Sequence, residues 1–226
     1  MRKWDALPAD LRTDAVRPYY DALRKRRMSL FFKRCFDIVV AAILLLVLSP
    51  VMLGLAIAIK ADSKGKVMFR QVRVTKYGKE FRIFKFRTMV SDAERLGSQV
   101  TTNQDSRVTR VGHALRKCRL DELPQLLNIL SGDMTFVGTR PEVPRYVEHY
   151  TDVMRATLLL PAGVTSETSI LYKDEERLLS EAQNADDTYV REVLPAKMKY
   201  NLAYLENYSF WKDIKIMLHT VGAVLH

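Results

Sequence analysis

From Ile38 to Ile59 the chain runs IVVAAILLLVLSPVMLGLAIAI, 22 residues without a charged side chain. As a helix that is long enough to match a bilayer core of about 30 Å. It starts too late and has too long an apolar core for a cleaved signal peptide, and no small-residue cleavage site follows it. Two features set it apart from an ordinary span. Both flanks are basic: Arg24, Lys25, Arg26, Arg27, Lys33 and Arg34 precede it, and Lys60, Lys64, Lys66, Arg70 and Arg73 follow. A spanning helix would leave one of these clusters on the disfavoured side of the membrane. Ser49-Pro50 also falls at the centre of the run. Proline removes an amide donor and kinks a helix, and the Ser49 hydroxyl can satisfy a backbone group freed there. A bent helix that enters the membrane and returns to the same face fits both features. A single-pass anchor with a tolerated kink stays open, whereas a buried core helix is disfavoured because nothing polar interrupts the run. Asp37 reads as a helix-start carboxylate or as a partner for Lys33 or Arg34 at the interface.

The rest of the composition narrows the class. The net charge of +10 over 226 residues favours polyanionic partners: nucleic acid, an anionic membrane face or a phosphorylated substrate. A nucleic-acid binder has no use for the apolar run, so nucleic acid is not expected as a partner. Cys35 and Cys118 lack CxxC spacing and read as reduced thiols, and the four histidines show no metal-ligand spacing.

Three regions are expected. Residues 1–28 form a basic juxtamembrane segment in which RPYYDALRKRR reads as an amphipathic helix, its cations either against anionic lipid headgroups or solvated. Residues 29–61 hold the membrane helix, and 62–226 a folded domain that carries the candidate site. Alternation on either side of Tyr77-Gly78 predicts a small β-hairpin. The segment 91–106 reads as a loop. TRVGHALRKC predicts a short helix capped by Thr109. Leu120, Leu123, Leu127 and Leu130 recur at helical spacing, with Asp121 at the helix start, Pro124 in its first turn and Gly132 ending it. A helix is expected over PRYVEHYTDVMRATLL, and others at about 174–182, 187–207 and 209–224. Trp211, Ile214, Met217 and Val221 make a core or interfacial stripe on the last one.

Asp121 and Glu122 are the sharpest functional signal. Side-by-side acids at a helix start are ordinarily capping residues. Here Arg107, Arg110, Arg116, Lys117 and Arg119 lie just upstream, Arg140 lies downstream, and Arg82, Lys85 and Arg87 line a hairpin strand. Guanidinium forks suit phosphate oxygens, and a helix start favours negative charge. A carboxylate among them can attack phosphorus, and magnesium would relieve repulsion between the two anions. Glu122 then relays a proton or binds the metal. Arg140 before Pro141 reads as a ligand-facing residue or as a rigid turn with a surface arginine. Arg70, Gln71 and Arg73 read equally as solvated strand residues, and Asp133 as a turn residue.

The order KRCFDIVVAA…LSP, FRQVRVTKYGKEFRIFKFRTM, DSRVTRVGHALRKCRLDELPQLLNILSGDM, VGTRPE and YSFWKDIKIML resembles the bacterial sugar transferases known as monotopic phosphoglycosyl transferases. The resemblance covers about residues 29–220, with gaps around 142–200, and implies the fold class: α/β and mostly helical, with a small hairpin, a re-entrant helix-break-helix and interfacial amphipathic helices. It implies transfer of a sugar phosphate from a nucleotide-diphosphate sugar, usually a UDP-sugar, to undecaprenyl phosphate, with release of UMP. It also implies a magnesium requirement and a place on the cytoplasmic face of the bacterial inner membrane, with both ends of a re-entrant helix on that side. The family's catalytic dyad falls on Asp121 and Glu122, which are also the metal candidates, with Asp121 forming a covalent phosphosugar enzyme in a ping-pong route. Arg116 matches a phosphate-binding arginine. Arg119, Arg140, Lys85, Arg87 and Arg107 are the further phosphate candidates. Lys33, Arg34 and Asp37 match the membrane-interface motif, and Ser49-Pro50 the helix break.

Two departures from the family pattern stand out. Thr139 replaces a usual proline, and PAGVTSETSI replaces a loop like PGITGLAQV, which implies an altered sugar or uridine pocket. The sugar, the pathway and the oligomeric state, a homodimer included, are left open. The rival reading is a basic membrane-anchored scaffold without catalysis, to which Asp121 would be dispensable.

Overall fold

The computed structural model describes residues 1–91, 93, 105–171, 178–179, 182 and 184–225. The alternation around Tyr77-Gly78 becomes an antiparallel hairpin of β1 (Met68–Val74) and β2 (Glu80–Phe86), with Phe69 opposite Lys85 and Arg73 opposite Phe81. Tyr77 at its tip takes φ 63°, next to Gly78 at φ 73°, which lets the chain reverse. A second, parallel pair joins β3 (Met134–Val137) to β4 (Ala162–Thr165). Among the described residues the remaining regular elements are helical.

The apolar run lies in α2 (Arg27–Asp62), a 36-residue helix with Pro50 inside it. The expected interruption of the helix at Ser49-Pro50 is absent, and local hydrogen bonding explains why it need not occur. Proline at 50 cannot donate to the Leu46 carbonyl, and the Ser49 hydroxyl donates to that carbonyl instead at 2.8 Å. One stripe of α2 packs inward. Ala41, with Leu44 and Leu45 beside it, joins Phe81, Ile83, Leu126 and Ile129, while Ile59, with Met52, Leu55 and Ala56, joins Phe86 and Leu115. The opposite face exposes Val39, Ile43, Leu46, Val47, Leu53 and Ile57, with Leu46 77% exposed. A stretch this apolar and this exposed is matched to lipid, not to water.

Both ends of α2 are tied to the rest of the chain. At its start the Lys33 ammonium meets the Asp213 carboxylate at 2.6 Å, and the Thr135 hydroxyl donates to Asp37. Arg34 donates to the Ile129 and Leu130 carbonyls at the end of α4 (Gln125–Ser131), where the helix dipole is negative. At the far end Arg87 donates to the Ile59, Ser63 and Lys64 carbonyls. Asp62 accepts from the Val111 amide at 3.0 Å.

Packing crosses the expected boundary at residue 28. α1 (Arg17–Lys25) forms as expected, but Leu7, Leu11, Val16, Tyr20 and Leu23 sink into the main core beside Leu159, Val193 and Met198. Trp4 packs edge-on against Tyr20, and Asp10 pairs with Arg155 at 2.9 Å. The segment is thus a structural strap as well as a carrier of exposed cations such as Arg24 and Lys25. The helix expected over residues 144–159 divides into α5 (Pro144–Val147) and a 3-10 turn, Met154–Leu159. The expected helix at 187–207 opens with an α-helical turn, Ala185–Thr188, passes through a π-turn (Tyr189–Val193) and continues as a regular stretch, Leu194–Glu206, and the last helix covers Phe210–Leu225. The helix expected at 174–182 and the loop at 91–106 fall largely outside the described residues.

Candidate active site

The acids are placed by three neighbouring elements. α3 (Arg110–Lys117) begins where Thr109 accepts from the Gly112 amide, as its sequence predicts. It docks on the end of β2: a Cβ at Gly112 would lie 2.1 Å from the Thr88 carbonyl oxygen, so only glycine permits the approach. The Thr88 hydroxyl accepts from Arg116 Nε at 3.0 Å, which fixes that guanidinium. Arg119 takes the left-handed conformation, φ 51°, and ends this run. The expected single helix from Asp121 to Gly132 is therefore two pieces: a 3-10 turn, Leu120–Glu122, and then α4. Pro124 sits at the α4 N-cap, where its missing N–H costs nothing. Gly132, at φ 90°, ends α4 as expected.

Asn128 closes the arrangement. Its side chain accepts from the Phe84 amide at 2.8 Å and donates to the Arg82 carbonyl at 3.1 Å, binding α4 to β2. That junction brings the Lys85 ammonium to 2.8 Å from Glu122 Oε1 and 3.9 Å from Asp121 Oδ2. Arg140 reaches the same Glu122 oxygen at 3.1 Å. The structure thus gathers Asp121, Glu122, Lys85 and Arg140, with Arg116 and Arg119 close enough to act on the acids through their fields. Arg87 and Arg107 are engaged elsewhere. Arg87 holds the end of α2, and Arg107 forks onto Asp105 and the Ala93 carbonyl. Asp133 is a turn residue paired with Lys79. Lys33, Arg34 and Asp37 serve the α2 attachment described above.

The two carboxyls differ in kind. Burial raises Asp121 above the ordinary aspartate range, with Glu122 adding repulsion, and Lys85, Arg116 and Arg140 only partly offset this. Burial would raise Glu122 as well, but Lys85 and Arg140 outweigh it and hold that carboxyl far below its ordinary value. Glu122 is therefore a permanent anion at neutral pH. Asp121, beyond hydrogen-bonding distance of Lys85, is the less neutralised and slightly more exposed oxygen donor. Both offer the hard oxygens that magnesium takes, and among the described residues no group of three or more His, Cys, Asp or Glu forms a fuller cage. A cation held by one or two carboxylates and completed by substrate phosphates is compatible with that donor set.

Sequence reasoning missed Thr88, Asn128 and Asp213, which hold these groups in place. Asn128 alone left a trace, a polar residue in the apolar repeat QLLNIL.

Residues 28–226 match the family described as bacterial sugar transferase. The chain belongs to the bacterial sugar transferase family. It is 37% identical over 198 residues to a UDP-N-acetylgalactosamine-undecaprenyl-phosphate N-acetylgalactosaminephosphotransferase of Aeromonas hydrophila, covering 86% of this chain and 44% of that protein. It is 37% identical over 193 residues to a UDP-glucose:undecaprenyl-phosphate glucose-1-phosphate transferase of Escherichia coli K12, covering 84% and 39%. It is 36% identical over 196 residues to a protein of the same description from Caulobacter vibrioides, covering 85% and 69%. The chain thus spans about two fifths of the length of the first two relatives. Their descriptions name different sugars at equal identity, so overall similarity to them does not select one.

Proposed function

We propose that this bacterial sugar transferase moves a sugar 1-phosphate from a nucleotide-diphosphate sugar, of the UDP class, to undecaprenyl phosphate with release of UMP. One observation carries the reading: a poorly neutralised carboxylate, Asp121, stands beside a fully ion-paired one, Glu122, among cations suited to a diphosphate. Arg116, Lys85 and Arg140 bind and orient the phosphates. An Asp121 carboxylate oxygen attacks the sugar-bearing phosphorus, a P–O bond to it forms, and the bond to the UMP oxygen breaks. The lipid phosphate oxygen then displaces Asp121, leaving sugar diphospho-lipid and the free carboxylate. Asp121 and Glu122 would hold magnesium, which supplies charge neutralisation between phosphate and carboxylate. Incubation with a panel of nucleotide sugars, polyprenyl phosphate and magnesium, reading UMP, tests the reaction and identifies the sugar. UMP release from none of them overturns it.

The acid limb of activity follows from Asp121. Only its ionised form attacks, and burial places its pKa above the usual 3.9 or so, so activity falls as pH drops through that raised value. Lys85 lowers that pKa, so Lys85→Met shifts the acid limb of kcat/KM to still higher pH. A limb that stays in place in this variant would mean that another group limits the rate.

We infer further that α2 enters one leaflet and, kinked at Pro50 within one continuous helix, returns, with both ends on the cytoplasmic face of the inner membrane. Support comes from the attachment of both ends to the same folded unit and from the stripe of contacts along the helix, which a spanning helix would have to strip. Single cysteines at Leu30 and Lys64, in a background lacking Cys35 and Cys118, are expected to label from the same side. Labelling from opposite sides excludes the re-entrant course.

A further inference from the structure

Arg140 sits in a turn, VGTRPE, with no regular secondary structure of its own to aim it, yet it meets Glu122 at 3.1 Å. What fixes it comes from the hairpin. Arg73 Nη1 donates to the Pro141 carbonyl at 3.1 Å. Its Nε and Nη2 both donate to Gln71 Oε1, at 3.1 and 2.7 Å, so the guanidinium plane is locked. The neighbouring Val74 amide donates to the Glu142 carbonyl at 2.9 Å. Both ties to β1 thus lie just after Arg140, at Pro141 and Glu142, while Thr139 before it accepts from the Gly163 amide of β4 at 2.8 Å. Phe69, Gln71 and Arg73 alternate onto one face of β1, and the partner of Phe69 is Lys85, which contacts Glu122 directly. Arg73 is a costly choice for a purely structural tie. It is a half-buried cation beside another cation, Arg140, and it leans on Glu142 for compensation.

We propose that Arg73 is a positioning residue: through the Pro141 carbonyl it holds Arg140 against Glu122, so that one hairpin sets both cations of the acid pair. The proposal rests on the site reading above. Gln71 takes part by fixing the fork of Arg73. Lysine at 73 keeps the charge but cannot reach Pro141 and Gln71 together in the same plane.

The test is a pair of double-mutant cycles on the full chain in lipid nanodiscs. In the first, the thermal non-additivity of Arg140→Met with Glu122→Gln is measured with Arg73 present and with Arg73→Lys. The coupling, on the order of 2–5 °C with Arg73, is expected to vanish with Arg73→Lys. A merely structural role would lower every midpoint alike and leave the coupling intact, which would overturn the proposal. In the second, Arg73→Lys is expected to lower kcat/KM for the nucleotide sugar about 10- to 100-fold when Arg140 is present, and less than about 2-fold in Arg140→Met. An equal loss in both backgrounds overturns it. Gln71→Met, a milder change on the same fork, replaces Arg73→Lys in both cycles if the lysine variant does not fold, with the same outcomes deciding. Absence of UMP release from the unmodified protein would sink the reading of the reaction, while the thermal cycle still judges Arg73.

Discussion

Replacing Asp121 with asparagine is expected to lower UMP release from nucleotide sugars by about four orders of magnitude or more, the scale of losing a covalent nucleophile. No sugar-phosphate adduct should then be trapped on the protein, and its membrane association should be unchanged. The same variant should not lose stability. Burial penalises the charged form of Asp121, so its folded pKa is raised, and ionised Asp121 costs stability at neutral pH. Asparagine removes that cost, and the thermal midpoint is expected to hold or rise. Glu122→Gln should behave oppositely. Its carboxyl is depressed by Lys85 and Arg140, so it contributes stability above the ordinary glutamate range that is lost as pH falls through the depressed value. The glutamine variant leaves two cations facing each other and is expected to cost about 1.5–3 kcal/mol. A silent activity assay with a stable Asp121→Asn protein would isolate chemistry from folding. Normal turnover in that variant would mean an enzyme with another nucleophile.

Local signals carried the parts of this arrangement that depend on neighbours in sequence. The hairpin was readable because Tyr77-Gly78 supplies a reversal between alternating runs, and α3 because Thr109 caps it. The density of cations around Asp121 and Glu122 was also visible, and Lys85 and Arg140 do converge on Glu122. Which cation goes where was not readable. Arg87 follows Lys85 by two residues, yet it lies where β2 meets the end of α2, and bare helix carbonyls capture it. That outcome depends on a tertiary approach no spacing records. The strap at residues 1–28 was hidden for another reason. Its apolar residues Leu7, Leu11, Val16, Tyr20 and Leu23 are interleaved with charge and broken by short 3-10 turns, so average polarity masked a buried face.

Lys33→Met is expected to be the most destabilising single change at the attachment of α2. Lys33 and Asp213 are both almost fully buried and meet at 2.6 Å, and Asp37 lies close enough to repel Asp213. Tyr204 donates to the other Asp213 oxygen at 2.7 Å, and Thr135 donates to Asp37. One ammonium therefore serves two buried carboxylates carried by α2 and by the last helix. Removing it strands both, a loss on the order of 3–5 kcal/mol, or a fall in thermal midpoint of roughly 6–20 °C for a chain of this size. Methionine fills much of the same volume, so a cavity is not the cause. Adding Asp213→Asn tests this: the amide still accepts from Tyr204 and no longer needs a cation, so the double variant should recover a substantial part of the loss. If instead the two losses add, the charge account is wrong and the methionine simply packs badly. A recovered midpoint with the cysteine probes at Leu30 and Lys64 still labelling from one side would separate the two duties of this cluster. The ion pair would then be a device of stability, with the direction of α2 set by its apolar face and by the clamp of Arg87 and Asp62 at the other end.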